Sequence, residues 1–277
     1  MASTMAWAHK IFDGQWRTGG GGTLDVVAPA TAEVIATVGA ADVGDFDRAV
    51  AKAVSAQREW AAKPYTERAS VMTAAAALLA ADPERLSRWL VPESGSSQGK
   101  AGGEVQLVAA ELAEAANLAS QPYGQVLRSA KSRFSVGRYV PVGVVGVISP
   151  FNFPALLSMR SVAPALAVGN AVVLKPDPRT PISGGLALAE LFAEAGLPEG
   201  LLHVLPSGAD VGAALDDPSV EIICGHFSFA RINQAYLAAN KGSPVCFTFL
   251  RDPVDRLVSS YNYFRETAGE KWHDQAA

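Results

Sequence analysis

Two polar side chains follow neighbouring apolar runs, at the points where predicted strands end. Asn152 lies in a turn after Val142–Ile148, and Lys175 follows the run Ala171–Leu174. Parallel sheets bind ligands beyond the carboxyl ends of their strands, so both side chains are candidates for a site. A fixed amide donor there can stabilise negative charge on a carbonyl oxygen. The alternative is that Asn152 only forms an Asx-turn at the start of the next helix.

A second polar pattern lies near the end of the chain. Arg251 follows an apolar run, Val245–Leu250, and Ser259 lies on a helix predicted to begin near Val254. An arginine at a strand end with a hydroxyl on the following helix is suited to bind a phosphate. The alternative is an ordinary strand-to-helix turn with surface arginines.

The first pair is positioned by a predicted strand, turn, helix and strand. Pro154 can begin a helix because its missing N–H needs no partner there, and Gly169 ends that helix. A further helix is predicted over Gly184–Ala195, and two more strands over Leu201–Leu205 and Val220–Cys224. The fold class is therefore predicted as α/β, a partial doubly wound parallel, Rossmann-like sheet.

The first 140 residues supply packing elements without evident chemistry. Residues 11–40 predict a small β-hairpin region, and residues 132–141 predict another strand. Helices are predicted after Asp42, after Pro64 and over Gly102–Ala119.

Composition excludes several classes of protein. The 277 residues are 49% hydrophobic and 18% charged, with a net charge of −4, which argues against a nucleic-acid binder. Two cysteines make neither a disulfide framework nor a zinc site, and no metal site is predicted. Without a secretory signal or an apolar run of about 18 residues, we expect a cytoplasmic protein that does not enter a membrane.

The character of the chain changes near Cys224. Residues 225–277 hold nine of the 22 aromatic residues of the chain. We therefore predict two parts, a cofactor-binding domain over 1–224 and a C-terminal fragment over 225–277.

Residues 8–223 resemble the aldehyde dehydrogenase superfamily. The motifs are SPFNFP (149–154), VVLKPDPRTP (172–181) and GLPEGLLHVLP (196–206). With PESGS (92–96), they are most similar to the benzaldehyde dehydrogenase branch. The resemblance implies an oxidoreductase that converts an aromatic aldehyde to its acid with NAD or NADP, in an oligomeric family.

The resemblance also implies roles for individual residues. Asn152 would be the oxyanion donor, and Ser149, Pro150 and Phe151 would line the nicotinamide side. Lys175 would reach the adenosine ribose hydroxyls; the alternative is a solvated loop lysine.

The cofactor preference is left open between NAD and NADP. Pro178 stands where the family often has a glutamate that repels a 2′-phosphate, and Asp177, a candidate cofactor-binding residue, precedes it. Gly208 and Gly212 are candidate glycines of the cofactor-facing helix.

The chain departs from the family after Ile223, where it reads CGHFSF. No segment resembles those that carry the family's nucleophilic cysteine, its catalytic glutamate or the strand that completes its oligomers. We therefore expect a truncated and inactive aldehyde dehydrogenase.

Residues 225–277 resemble part of the PAPS-dependent sulfotransferases. GHFSFARI (225–232) and the RDPxxRxxSxY spacing carry this likeness. It implies that Arg251 and Ser259 contact the 3′-phosphate of PAPS or PAP. SQGK (97–100) lacks the preceding strand that a 5′-phosphate loop requires. A sulfotransferase fragment and a non-functional chimera are thus alternative interpretations.

Overall fold

The computed structural model describes residues 7–208 and 220–225, the last five of these by their backbone alone. Its strands are β1 (Ile11–Phe12), β2 (Trp16–Arg17), β3 (Thr23–Val27), β4 (Val34–Gly39), β5 (Gly124–Leu127), β6 (Ser135–Arg138), β7 (Val144–Ile148), β8 (Ala171–Lys175), β9 (Leu202–Val204) and β10 (Val220–Gly225). Its α-helices are α1 (Val43–Ala62), α2 (Tyr65–Ala81), α3 (Glu84–Ser94), α4 (Gln98–Leu118), α5 (Pro154–Ala167) and α6 (Ala187–Glu194).

The main sheet has the strand order β10-β7-β8-β9-β1-β2. The first four of these strands are parallel, and the register pairs Ile148 of β7 with Lys175 of β8. Strands β7 and β8 are almost wholly buried, in agreement with their near-continuous apolar sequences. The predicted partial doubly wound sheet is confirmed.

The N-terminal hairpin extends this sheet, which the sequence did not predict. Strand β1 pairs antiparallel with β9 through Phe12 and Val204. Strands β3 and β4 form a separate two-stranded sheet, and so do β5 and β6. Two-residue strands carry too little alternation to indicate which sheet they join.

Two predicted helix boundaries differ from the structure. Helix α4 begins at Gln98 rather than at Gly102, because the Ser97 hydroxyl accepts a hydrogen bond from the Lys100 N–H at 3.3 Å. The helix predicted from Gly184 begins as a π-helical turn, Ile182–Leu186, that leads into α6. A Cβ on Gly185 would lie 2.6 Å from Cγ1 of Val204, so glycine permits the close approach of this turn to β9.

Helix α5, which follows the Asn152 turn, is capped at its C-terminal end by distant side chains. Three carbonyl groups in or just after its last turn each accept a hydrogen bond from a side chain of α1 or α2. The pairs are Trp60 Nε1 with Leu166 O at 2.8 Å, Arg68 Nε with Ala167 O at 3.0 Å, and Gln57 Nε2 with Gly169 O at 2.9 Å. The N-terminal helices therefore satisfy backbone groups that the helix cannot satisfy itself.

The N-terminal end of α5 is capped in the same way, by a carboxylate. Phe153, at the N-cap position, makes no side-chain hydrogen bond. Instead, Oε1 of Glu104 in α4 accepts the N–H groups of Ala155 and Leu156, at 2.9 and 3.2 Å. Glu104 is 1% exposed, and burial raises the pKa of its carboxyl group.

A second buried carboxylate caps the π-helical turn after β8. Oε1 of Glu93 in α3 accepts the Ile182 N–H at 2.7 Å, and its Oε2 accepts the Ser183 N–H at 2.7 Å and the Ser183 hydroxyl. Burial raises the pKa of Glu93 to about 7, against these hydrogen bonds, which lower it. Both turns that follow β7 and β8 are thus anchored by glutamates from the N-terminal helices.

Among the helices of residues 7–208, none is both long enough and apolar enough to cross a membrane. The described residues also contain no group of three His, Cys, Asp or Glu side chains placed to hold a metal ion.

We predict that Glu93→Gln destabilises the fold more than Glu104→Gln. Both oxygens of Glu93 accept hydrogen bonds, so an amide places an N–H donor against the donors of Ile182 or Ser183. Only Oε1 of Glu104 accepts backbone bonds, so its amide variant can keep them. We expect the free energy of unfolding to fall by about 2 kcal/mol in the Glu93 variant and by less than about 1 kcal/mol in the Glu104 variant, measured by urea unfolding at neutral pH.

The control is Glu111→Gln, at the same α4–α5 contact. The Glu111 carboxylate pairs with Arg160 Nε at 2.9 Å, and both side chains are about one-third exposed, so we expect a loss below about 1 kcal/mol. An equal loss in the Glu93 and Glu111 variants would contradict the capping role.

His203 generates a prediction about acid stability. The side chain is fully buried on β9, and burial lowers the pKa of the imidazole to about 4. The unfolded chain binds this proton near pH 6.5, so folding stability is lost as the pH falls from about 6.5 towards 4. Between pH 7.5 and 5.0 the His203 imidazole should lower the free energy of unfolding by about 2 kcal/mol. His203→Gln should remove that pH-dependent loss in urea titrations; an unchanged loss would contradict the assignment.

Candidate active site

The turn after β7 presents four of the predicted site residues. Ser149 follows the strand directly, and its N–H donates to the Lys175 carbonyl at 3.2 Å. Its side chain is buried, that of Pro150 is half-buried, and Phe151 and Asn152 are exposed. The turn therefore lies at the carboxyl edge of the sheet, beside the end of β8, as predicted.

The Asn152 amide is not used to build its own turn. An Asx-turn closes on the N–H two residues along, and that residue is Pro154, which has none. The next two N–H groups donate to Glu104 instead. Among the described residues the Asn152 side chain has no hydrogen-bond partner, so its exposed amide is available to a ligand.

Lys175 is buried at the end of β8, where it is 4% exposed. Its Nζ donates to the carbonyl of Ser207, beyond β9, at 3.4 Å. The alternative of a solvated loop lysine is therefore wrong. The ammonium group is therefore held at the carboxyl edge of the sheet and does not face solvent.

Two hydroxyl groups complete the polar lining around Lys175. Oγ of Ser149 and Oγ of Ser207 are both buried without a hydrogen-bond partner in the described part of the chain. Buried polar groups normally have partners, so such hydroxyls indicate a place where another polar group binds. The sequence analysis did not assign Ser207; its position directly beyond a third parallel strand was the available signal.

Asp177 is engaged by a neighbouring arginine. Arg179 donates from Nε and NH2 to the two Asp177 carboxylate oxygens, at 2.8 Å each. The Arg179 guanidinium also lies 3.6 Å from the ring centroid of Phe151. Burial raises the pKa of Asp177, but the Arg179 bonds and the Arg179 and Lys175 charges outweigh burial, and the net pKa is lowered. Asp177 is therefore ionised at neutral pH and holds Arg179 in place.

The remaining predicted site residues lie at the end of the described residues or outside them. Gly208 is half-buried at the end of the first described range. Gly212, Arg251 and Ser259 lie outside the described residues, so the cofactor-helix glycine and the 3′-phosphate site stay predictions.

The donor set fits a ligand rich in hydroxyl and phosphate groups. Beyond three adjacent parallel strands lie an ammonium group, two hydroxyls without a partner among the described residues, and an exposed guanidinium. A nicotinamide dinucleotide presents ribose hydroxyls and phosphates, which such donors recognise. The residues present therefore fit this cofactor class, and the free Asn152 amide stands at the same edge.

Comparison with known sequences agrees with this geometry. The model of the aldehyde dehydrogenase family matches residues 16–225. A vanillin dehydrogenase from an Amycolatopsis strain is 53% identical over 218 residues, which are 78% of this chain and 45% of that protein. An NAD-dependent benzaldehyde dehydrogenase from Pseudomonas putida is 46% identical over 210 residues, which are 76% of this chain and 43% of that protein.

Solved structures give the same result. An NAD-dependent benzaldehyde dehydrogenase from Corynebacterium glutamicum has a TM-score of 0.82 and 36% identity, over 90% of this chain and 55% of its own. An NADP-dependent enzyme from E. coli has a TM-score of 0.83 and 27% identity, over 89% of this chain and 52% of its own. The chain spans less than half the length of both curated relatives. With the family model matching most of its residues, the chain belongs to the aldehyde dehydrogenase family.

Proposed function

We propose that this chain supplies the cofactor-binding and oxyanion-facing part of an NAD(P)-dependent oxidation of an aromatic aldehyde to its acid. The observation that carries the proposal is the buried Lys175 beside the hydroxyls of Ser149 and Ser207, which have no hydrogen-bond partner within the described part of the chain. Benzaldehyde and vanillin are the substrates in the names of the first relatives, so they are the compounds to test.

In this proposal Lys175 holds the adenosine ribose of the cofactor. The Nζ atom donates to the Ser207 carbonyl at 3.4 Å, which connects the ammonium group to the segment after β9. Ser149 donates its N–H to the Lys175 carbonyl and Ser207 accepts from Nζ, so both serines contact this lysine. Removal of the charge therefore removes the central donor of the set, while the backbone around it stays.

Asn152 acts at the other end of the cofactor. When bound, the cofactor supplies the hydride acceptor. Oxidation of a carbonyl group through a tetrahedral species places negative charge on its oxygen, which a preoriented amide N–H stabilises. Glu104 accepts the N–H groups in the first turn of α5, so the Asn152 amide is not needed as a cap. Its N–H groups therefore stay available to a bound substrate.

The covalent step needs a thiolate, which residues 7–208 do not provide because they contain no cysteine. The proposal therefore assigns binding and charge stabilisation to residues 7–208, and assigns no nucleophile among them.

Replacement of Lys175 tests the cofactor assignment. Lys175→Met should weaken NADH binding by about tenfold, because the lost contact is charge-assisted. Binding is measured by the change in NADH fluorescence, with circular dichroism to confirm that the variant is folded. Lys63→Met is the control, since Lys63 is half-exposed and its one ion pair among the described residues is with Glu67 at the α1–α2 junction. Unchanged affinity in the folded Lys175 variant would refute this role.

Turnover is tested separately with benzaldehyde and vanillin. We expect the 277-residue chain to bind NAD and to produce no NADH from either aldehyde, because residues 7–208 contain no cysteine. Absorbance at the NADH band measures the reaction. Steady NADH formation that depends on aldehyde would contradict the expected lack of turnover.

A further inference from the structure

Glu93 is a buried carboxylate that connects two distant parts of the chain. It lies near the end of α3, is 2% exposed, and accepts hydrogen bonds from the first residues of the π-helical turn. The Ile182 and Ser183 N–H groups donate to it at 2.7 Å each, and the Ser183 hydroxyl donates as well. The turn after β8 is therefore hydrogen-bonded to α3 through this side chain.

Within the described residues, no cation compensates the charge of this carboxylate. None of the ion pairs there includes Glu93, and its pKa is set by burial and by the three hydrogen bonds. Helices α4 and α5 and the π-helical turn pack against α3, and the π-helical turn carries no ionisable side chain. On α3 itself the ionisable neighbours are Glu84, Arg85 and Arg88. The charged side chains of the surrounding elements pair with one another, Lys100 with Glu104, Arg160 with Glu111 and Arg179 with Asp177, while Glu114 on α4 is exposed.

Burial without a compensating cation makes the ionised form of Glu93 costly. It raises the pKa of the carboxyl group to about 7, from 4.5 for a solvated glutamate. If α3 and the turn separate, water reaches the carboxyl group and the ionised form becomes favourable again. The closed contact is therefore fully stable below about pH 4.5 and loses stability as the pH rises through about 7.

The two sides of this contact can separate without breaking the bonds inside either of them. In the turn, the Thr180 N–H donates to the Asp177 carbonyl at 3.0 Å, and the Gly184 N–H donates to the Thr180 carbonyl at 3.0 Å. On the other side, Pro92 lies inside α3 and supplies no N–H, so the end of this helix lacks one of its hydrogen bonds. A separation therefore breaks the Glu93 bonds and leaves the bonds within the turn intact.

We propose that Glu93 forms a pH-sensitive contact between α3 and the turn after β8, stable when the carboxyl group is protonated and weakened when it is ionised. The segment that the contact holds runs from residue 177 to 183 and follows Lys175 closely in the chain. A rising pH therefore loosens one border of the candidate site while the sheet stays folded. The inference does not rest on the proposed function, because the contact is observable without a cofactor or a substrate.

The experiment measures amide hydrogen exchange at Ile182 and Ser183 by NMR spectroscopy, on the full chain between pH 6 and pH 8. After correction for the base-catalysed exchange rate, we expect the equilibrium constant for local opening to increase about tenfold over this range. The Val172 N–H, which donates to the Leu201 carbonyl at 2.7 Å inside the sheet, is the reference for global unfolding and should exchange more slowly. Equal exchange at Ile182 and Val172 would mean that the contact opens only with the whole fold, and would overturn the inference.

Two variants separate proton coupling from capping alone. Glu93→Gln has no titratable group, so the opening constant at Ile182 should no longer change with pH. Ser183→Ala keeps the carboxyl group and removes a hydrogen bond that lowers its pKa, so the increase in opening should extend to higher pH. This second variant tests the inference even if the amide variant does not fold.

Glu104→Gln is the matched control. Glu104 is also a buried carboxylate that accepts backbone N–H groups, but those belong to Ala155 and Leu156. Its loss should leave the pH dependence at Ile182 unchanged. A capping role without proton coupling predicts wild-type protection that does not change with pH. That result, or a pH dependence that persists in Glu93→Gln, overturns the inference and leaves the proposed function standing.

Discussion

The candidate site depends on one constraint: the free N–H groups at a buried helix N-terminus must find hydrogen-bond acceptors. The turns after β7 and β8 both run into helical segments that begin after a proline or with one, and neither segment has a local side-chain cap. Exposed N–H groups could bind water, but these are buried under α3 and α4. Glu104 and Glu93 provide the acceptors from a distance, and their negative charge also suits the positive end of a helix dipole. The conformation of both turns therefore depends on side chains of α3 and α4, which lie outside the sheet.

The two carboxylates come from one short stretch of chain. Glu93 and Glu104 lie on either side of the α3–α4 connection, and Lys100 links this stretch to the first turn. Lys100 Nζ binds the Ser96 hydroxyl at 2.7 Å, lies 3.6 Å from Oε2 of Glu104 and stands 4.3 Å from the Phe153 ring centroid. A cation beside the buried Glu104 lowers the free-energy cost of its charge. The residues around the α3–α4 connection therefore hold both turns in place together.

The sequence predicted what is locally encoded. Buried β-branched runs, Pro154 and Gly169 indicated the strand, turn, helix and strand, and these placed Asn152 and Lys175 at one edge of the sheet. It did not predict the roles of Glu93 and Glu104, because their partners lie 89 and 51 positions away and a glutamate on a helix usually faces solvent.

Other features could not be predicted from the sequence, for different reasons. The pairing of β1 with β9 joins residues almost two hundred positions apart, and two-residue strands have no readable period. Asp177 was predicted as a cofactor ligand from its type and position, whereas the fork to Arg179 depends on a side-chain conformation that sequence patterns do not specify. Ser207 was missed because a buried serine resembles many others until its lack of a partner is seen.

The capping of α5 at both ends has a consequence for how this protein can be divided. Chemistry-bearing residues begin at Ser149, so the sheet from β7 onward looks like a self-contained nucleotide-binding unit. Its central helix, however, takes its N-terminal acceptor from α4 and its C-terminal donors from α1 and α2. A fragment that began at β7 would leave those backbone groups unpaired and the apolar face of the helix uncovered. The smallest piece of this chain able to form the Asn152 turn therefore includes the helices that carry no chemistry of their own.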